Sequence, residues 1–212
     1  MAHYSKLHKF YFVHIYKTGG MAVRRSLEIS LNSINKNDTS DFMQGHCNAK
    51  DAAILITHHN IQPEDFFKFS FVRNPYDWIF STWYYIITSK GHNLNTQFAG
   101  KPFKDFLVWH RDEIDKFNEG KGLGFNKIQS QYEFLHDKGN LLVDFVGRKE
   151  NLLNDLRFVF DTIKIPLYDI GWVNSYKAHR NNRPFMSYYN NETKEIVKQM
   201  LNKDFETYGY DK

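Results

Sequence analysis

The opening of the chain limits the possible folds more than any other stretch. Lys9 to Ile15 (KFYFVHI) is a run of aromatic and β-branched residues, which reads as a buried strand. It stops just before a tight glycine loop, Lys17-Thr18-Gly19-Gly20. Beyond the loop, Val23, Leu27, Leu31 and Ile34 recur at four, four and three residues, the spacing of one helix face. Strand, glycine loop and helix in this order suit an anion. The glycines let backbone N–H groups come close, and the helix N-terminus adds partial positive charge. Lys17 supplies a full charge and the Thr18 hydroxyl a further donor. The nucleotide-binding P-loop places its lysine after the glycines, as G-x-x-x-x-G-K-[ST]. Here the lysine precedes them, so there is no match to that motif. A plain strand-to-helix turn with an exposed lysine would also read this way.

The rest of the chain continues the alternation. Phe66 to Val72 (FFKFSFV) is the next clear strand. Asn74 can cap a following helix, Pro75 suits its first position and Asp77 its first turn. Ile79, Trp83 and Ile86 extend that helix. Ala52 to Ile56 is a short apolar run, either a strand or the end of a helix. Asn32 to Ser40 and Gly120 to Gly124 read as loops, and Gly91 to Lys101 as a polar break. Phe103 to Phe117 reads as helix, and Leu141 to Val146 as a third strand ended by Gly147. Leu152, Leu156 and Val159 mark a further helix, and Ile165 to Asn182 is irregular. Glu192 to Phe205 is a last helix, built on Ile196, Val197, Met200 and Leu201. Strands alternating with helices predict an α/β fold with a parallel sheet. No repeat or linker divides the chain, so one domain over residues 1–212 is expected.

Composition narrows the function. With 42% hydrophobic and 17% aromatic residues the chain has ample apolar surface to bury, which excludes disorder. Its net charge of +4 permits anionic ligands. The basic residues are spread along the chain, and the aromatics follow strand and helix periods, so nucleic acid is not an expected partner. The single cysteine, Cys47, rules out an intrachain disulfide and a cysteine-based zinc site. Met1 to Ile15 lacks the longer apolar run and small-residue cleavage site of a signal peptide, and there is no apolar stretch of about 18 residues, so neither a leader nor a membrane span is expected. A cytoplasmic protein without a membrane span is expected.

A second constellation is Phe69-Ser70-Phe71-Val72-Arg73-Asn74-Pro75-Tyr76-Asp77, followed by Ser81. An arginine at the carboxyl end of a strand can clamp a phosphate with two parallel N–H bonds. In open α/β sheets ligands bind at those strand ends. Ser81, two turns into the helix, can offer its hydroxyl to the same group. The bland alternative is a local ion pair for Arg73 and a solvent-facing Ser81.

Together these strings resemble the sulfotransferase family that includes carbohydrate sulfotransferases and their bacterial relatives. Lys17 to Met21 resembles its loop P-K-[ST]-G-[GT]-[TS] for the 5'-phosphosulfate of 3'-phosphoadenosine 5'-phosphosulfate (PAPS). Tyr16 stands in place of the usual proline and Met21 in place of a hydroxyl residue. Phe69 to Asp77 with Ser81 resembles its 3'-phosphate motif. Val143-Asp144-Phe145-Val146-Gly147-Arg148-Lys149-Glu150-Asn151-Leu152 resembles its late V-D-F-[VI]-G-R-x-E-N-L segment. Tyr188-Tyr189 and Phe205 to Tyr210 also fit. The resemblance covers most of the chain.

It implies a P-loop-like three-layer fold, with a central parallel sheet flanked by helices. It implies in-line transfer of a sulfuryl group from PAPS to an acceptor, a carbohydrate hydroxyl by family, with 3'-phosphoadenosine 5'-phosphate (PAP) as product and no metal. Lys17, Thr18, Gly19, Gly20 and Met21 would hold the phosphosulfate, and Lys17 would steady the leaving phosphate. Arg73 and Ser81 would hold the 3'-phosphate. Arg148 can meet the nucleotide or pair with Glu150, and Arg183, in the basic loop from Arg180, can reach a phosphate or face solvent. The family often places a histidine base in an H-x-x-A-x-[DE] context. His46 to Asp51 fits that pattern, and His58 and His59 are the alternatives. Gln129 and Gln131 fall where some relatives line the acceptor cleft, whereas the tryptophans read as core. Two other readings stay open. One is a nucleotide-dependent phosphotransferase on a related fold. The missing P-loop order argues against it, as does the lack of a clear magnesium-binding aspartate, Asp144 reading as inside a strand. The other is a non-catalytic PAPS-binding module that lacks a working base.

Overall fold

The computed structural model describes residues 2–34, 42–43, 46–58, 60, 62–118, 129–168 and 183–212. The backbone separates into two compact units, Met1–Val72 with Glu133–Asn174, and Arg73–Tyr132 with Ser175–Lys212. The strands, in chain order, are β1 (Ala2–Ser5), β2 (Phe10–Val13), β3 (Phe42–Met43), β4 (Phe67–Val72), β5 (His136–Asp137), β6 (Asn140–Leu141) and β7 (Phe145–Arg148). The helices are α1 (Gly20–Ile34), α2 (Ala49–Thr57), α3 (Pro75–Thr88), α4 (Asn95–Phe98), α5 (Phe103–Asn118), α6 (Gln131–Leu135), α7 (Leu152–Thr162), α8 (Asn191–Met200) and α9 (Asn202–Tyr208).

The first unit is built on a sheet of order β3-β1-β2-β4-β7. β2, β4 and β7 run parallel, with Phe12 opposite Phe69 and Val72 opposite Arg148. All four β2 residues are buried, as expected of a strand covered on both faces. Phe10, Phe12, Phe69 and Phe71 form one core with Val23, Leu27 and Leu31 of α1 and Leu156, Val159 and Phe160 of α7. The predicted α/β architecture is therefore present, as a central, mostly parallel sheet flanked by helices. Not all of it is parallel: β1 pairs antiparallel with β2 and with β3. The link from β1 to β2 is too short for a crossover, and a short link permits only a hairpin. The strand β1 itself was not expected.

The run Ala52 to Ile56, open between strand and helix end, is the end of helix α2. Two further readings need correction. The apolar stretch from Leu141 to Val146 is not one strand. A turn at Lys138 and Gly139, both with positive φ (50° and 87°), closes the β5–β6 hairpin, which Leu141 ends. The sheet strand starts only at Phe145. Asp144 lies before it, where its carboxylate accepts the Lys68 backbone N–H at 2.7 Å and pairs with the Lys68 ammonium at 3.0 Å. Gly147 does not end β7 but lies within it. A Cβ there would lie 2.5 Å from Phe71 Cε1, so the missing side chain is what lets that ring lie against β7.

The second unit is helical. Asn74 caps α3 as predicted, its side-chain oxygen accepting the Tyr76 and Asp77 N–H groups at 3.0 and 3.4 Å. Pro75 is its first residue. Trp78, Phe80 and Trp83 of α3 are buried, as is Phe106 of α5, and the Trp83 and Phe103 rings lie 4.9 Å apart. The polar break holds the short α4. The expected last helix is two, because Leu201 leaves helical backbone (φ −115°, ψ 27°). Asp204, fully buried in α9, then accepts the Gln131 and Tyr132 N–H groups at 3.1 and 2.8 Å. Among the described residues no helix is long and apolar enough to cross a membrane.

Candidate active site

β2 ends at Val13 and α1 begins at Gly20, so the lysine–glycine loop joins the carboxyl end of a central strand to a helix N-terminus. Lys17 has φ +63° and Gly19 φ +95°. A lysine rarely takes the left-handed region, which costs about 1–2 kcal/mol. Backbone that alternates hand in this way turns successive N–H groups into one concavity, a nest for an anion. Ala22 N–H donates to the Gly19 carbonyl at 2.9 Å, which starts the helical ladder. The Thr18 hydroxyl, expected to face an anion, is fully buried and donates to the Ile15 carbonyl at 2.8 Å. It closes the loop on itself. The Met21 side chain is exposed.

Each glycine of the loop has a neighbour in the place of a side chain. A Cβ on Gly20 would overlap the His14 ring at Cδ2 and Nε2. One on Gly19 would meet Lys149 Cδ at 2.6 Å and Cε at 3.2 Å. His14 is buried as expected, and burial above all holds its pKa well below the ordinary 6.5. Its carbonyl lies 3.1 Å from His46 Nδ1, and the two rings are 4.7 Å apart at 67°. A carbonyl only accepts, so Nδ1 of His46 carries the proton and Nε2 keeps its lone pair. Burial above all lowers the His46 pKa, the charge of the chain's N-terminus lowers it further, the bond to His14 opposes them, and the Lys17 charge adds a smaller lowering. His46 is thus a neutral imidazole with its basic nitrogen defined, held to the backbone just before the loop. His58 caps the other end of α2 and is exposed. Nine helical residues, about 14 Å, separate it from the His46 end. His59 lies outside the described residues.

β4 ends at Val72, and Arg73 follows it. The Arg73 backbone is clamped by Gln131, whose Oε1 accepts its N–H at 2.8 Å and whose Nε2 donates to its carbonyl at 2.9 Å. Gln131 is fully buried and also donates to Asp204, so it is a brace, not a lining of an acceptor cleft. Asp77 accepts from the Arg73 guanidinium through Nε at 2.8 Å and a terminal nitrogen at 2.6 Å. Asp77 and Ser81 follow Arg73 at four-residue spacing, on one face of α3. Ser81 does not face solvent. It is buried, and its hydroxyl has no hydrogen-bond partner among the described residues. The buried Gln129 likewise has an unpartnered Oε1 among them. Arg148 ends β7, its N–H bound to Asp155 at 2.6 Å and its side chain exposed. Arg183 is exposed, and Arg180 and Trp172 lie outside the described residues. Trp78 and Trp83 are core, and Trp109 packs on Phe98 and Phe106. Sequence reasoning missed the contact of His14 with Gly20 and of Lys149 with Gly19. Only folding brings those pairs together.

These features define a mostly parallel α/β protein in which the carboxyl ends of β2, β4 and β7 run into Lys17, Arg73 and Arg148. The model of the sulfotransferase family matches residues 2–211, nearly the whole chain, and the protein belongs to that family. No curated protein and no solved structure matches it individually.

Proposed function

We propose that the protein transfers the sulfuryl group of PAPS, its donor substrate, to an acceptor hydroxyl, that of a carbohydrate, and releases PAP. The observation that carries this reading is the loop from Lys17 to Gly20, with its two left-handed residues at the end of a central strand. The buried Ser81 hydroxyl, without a partner among the described residues, supports it, because a second phosphate would satisfy that group. In the proposed reaction His46 Nε2 takes the acceptor's proton as the acceptor oxygen bonds to sulfur. Lys17 and the loop amides offset the charge on the 5'-phosphate oxygen as its bond to sulfur breaks. Arg73, oriented by Asp77, and Ser81 hold the 3'-phosphate that separates PAPS from simpler adenylates. The carbohydrate acceptor rests on the likeness to carbohydrate sulfotransferases.

The test is calorimetric titration with PAP, AMP and ATP, without magnesium, on the parent and on Arg73→Ala. Preference for PAP over AMP, lost in the variant, is expected. Equal binding of all three, or a need for magnesium, overturns the reading in favour of a phosphotransferase.

A further inference from the structure

The loop is short of positive charge for the ligand it is proposed to hold. From Tyr16 to Met21 the only charged side chain is Lys17. The Thr18 hydroxyl is committed to Ile15 and the Met21 side chain carries no donor. A further cation comes to the loop from far along the chain. Lys149 follows β7 directly, and its stem occupies the space that a Gly19 side chain would fill. Its ammonium is one bond, roughly 1.5 Å, beyond a Cε already 3.2 Å from that point. So the ammonium lies within about 5 Å of where a Gly19 Cβ would be. The half-buried stem limits its reach to the loop's surroundings. Lys17 and Lys149 thus bring two positive charges to one four-residue loop.

We infer that Lys149 is a second cation of the phosphosulfate site and binds the 5'-phosphate end of the donor and of PAP. The inference rests on the proposed reading of the loop as that site. It also assigns Gly19 a second purpose. Besides its positive φ, its bare Cα is the track along which the lysine stem passes.

Lys149→Met keeps the stem over Gly19 and removes the charge, and Lys149→Arg keeps the charge. Each is titrated with PAP and with adenosine 3'-phosphate, which lacks the 5'-phosphate. The Met variant should bind PAP about tenfold more weakly or worse, the effect of one lost charge-assisted bond. Its binding of adenosine 3'-phosphate should stay within twofold of the parent, and the Arg variant should recover most of the PAP affinity. Unchanged PAP binding in the Met variant overturns the inference. So does an equal loss for both ligands, which would mark a packing role. A parent that fails to prefer PAP over AMP removes the underlying reading and this inference with it.

Discussion

His110 provides a test of the packing that is independent of the proposed activity. It lies in α5 with its ring 6.0 Å from Trp78 and 5.5 Å from Phe106. It is buried, and neither ring nitrogen has a hydrogen-bond partner among the described residues. Burial alone pushes its pKa from 6.5 to about 3. The unfolded chain takes up a proton at this residue as pH falls through about 6.5, whereas the folded chain stays neutral until near pH 3. Below pH 6.5 the unfolded state therefore binds more protons, and the free energy of unfolding falls by about 1.4 kcal/mol per pH unit. At pH 5 the loss from His110 is about 2 kcal/mol. His3, pushed to about 3 mainly by burial, adds a similar loss. Together they take about 4 kcal/mol from a stability that is typically about 5–15. The assay is thermal unfolding of the parent and His110→Leu at pH 7.5, 6 and 5. Leucine is close in volume and cannot titrate. Between pH 7.5 and 5 the variant should gain about 2 kcal/mol on the parent, a relative rise in Tm of about 4–8 °C. Two Tm curves that stay parallel across this range refute the reasoning.

Other expectations concern the site and its supports. His46→Gln should lower kcat by about 10²–10⁴ while PAP affinity stays within about twofold, and a normal kcat removes His46 as the base. Because burial above all depresses the His46 pKa, the acid limb of the parent's kcat/KM profile should lie below 6.5. Activity should persist as pH falls through 6.5, and a limb at or above that value contradicts the assignment. Gly20→Ala forces a methyl into the buried His14 ring and should cost about 1–3 kcal/mol in denaturant unfolding. It should also lower kcat by shifting the carbonyl that holds His46. Asp204→Ala strands three N–H donors from Gln131 and Tyr132 and should cost about 3 kcal/mol or more in the same assay. It should weaken PAP binding as well, because Gln131 fixes the Arg73 backbone.

Where a segment's structure follows from its own neighbours, the sequence was enough. The β2 run is apolar on both faces because the strand is central, and α3 begins where Asn74 and Pro75 say a helix can begin. The failures have a common cause. Asp144 reads as strand because apolar residues surround it, but its carboxylate is held by Lys68, 76 residues away in sequence. Gly147 reads as a terminator because glycine often is one, but here it makes room for Phe71 of the neighbouring strand. The break at Leu201 has no turn residue to announce it. Just beyond it Asp204 is held by Gln131 and Tyr132, more than 70 residues upstream. Long-range partners override local preference in each case.

The same distinction holds within the site and changes what its glycines mean. From sequence, both invite an anion to the backbone. In the fold, Gly19 is needed for its φ of +95° and for the Lys149 stem, and Gly20 is needed because the His14 ring lies against it. The second requirement ties the loop to the proposed base. His14 is wedged by Gly20, and its carbonyl selects the tautomer of His46. The residue packed against the helix start is therefore also the one whose carbonyl fixes which nitrogen of His46 holds the lone pair. A side chain at Gly20 would disturb the proposed anion loop and the proposed base together, whereas one at Gly19 would reach the loop and Lys149 but leave the His14–His46 pair in place. Substitutions at these adjacent glycines should thus separate. Changes at Gly19 should act through binding of the donor, and changes at Gly20 through kcat as well.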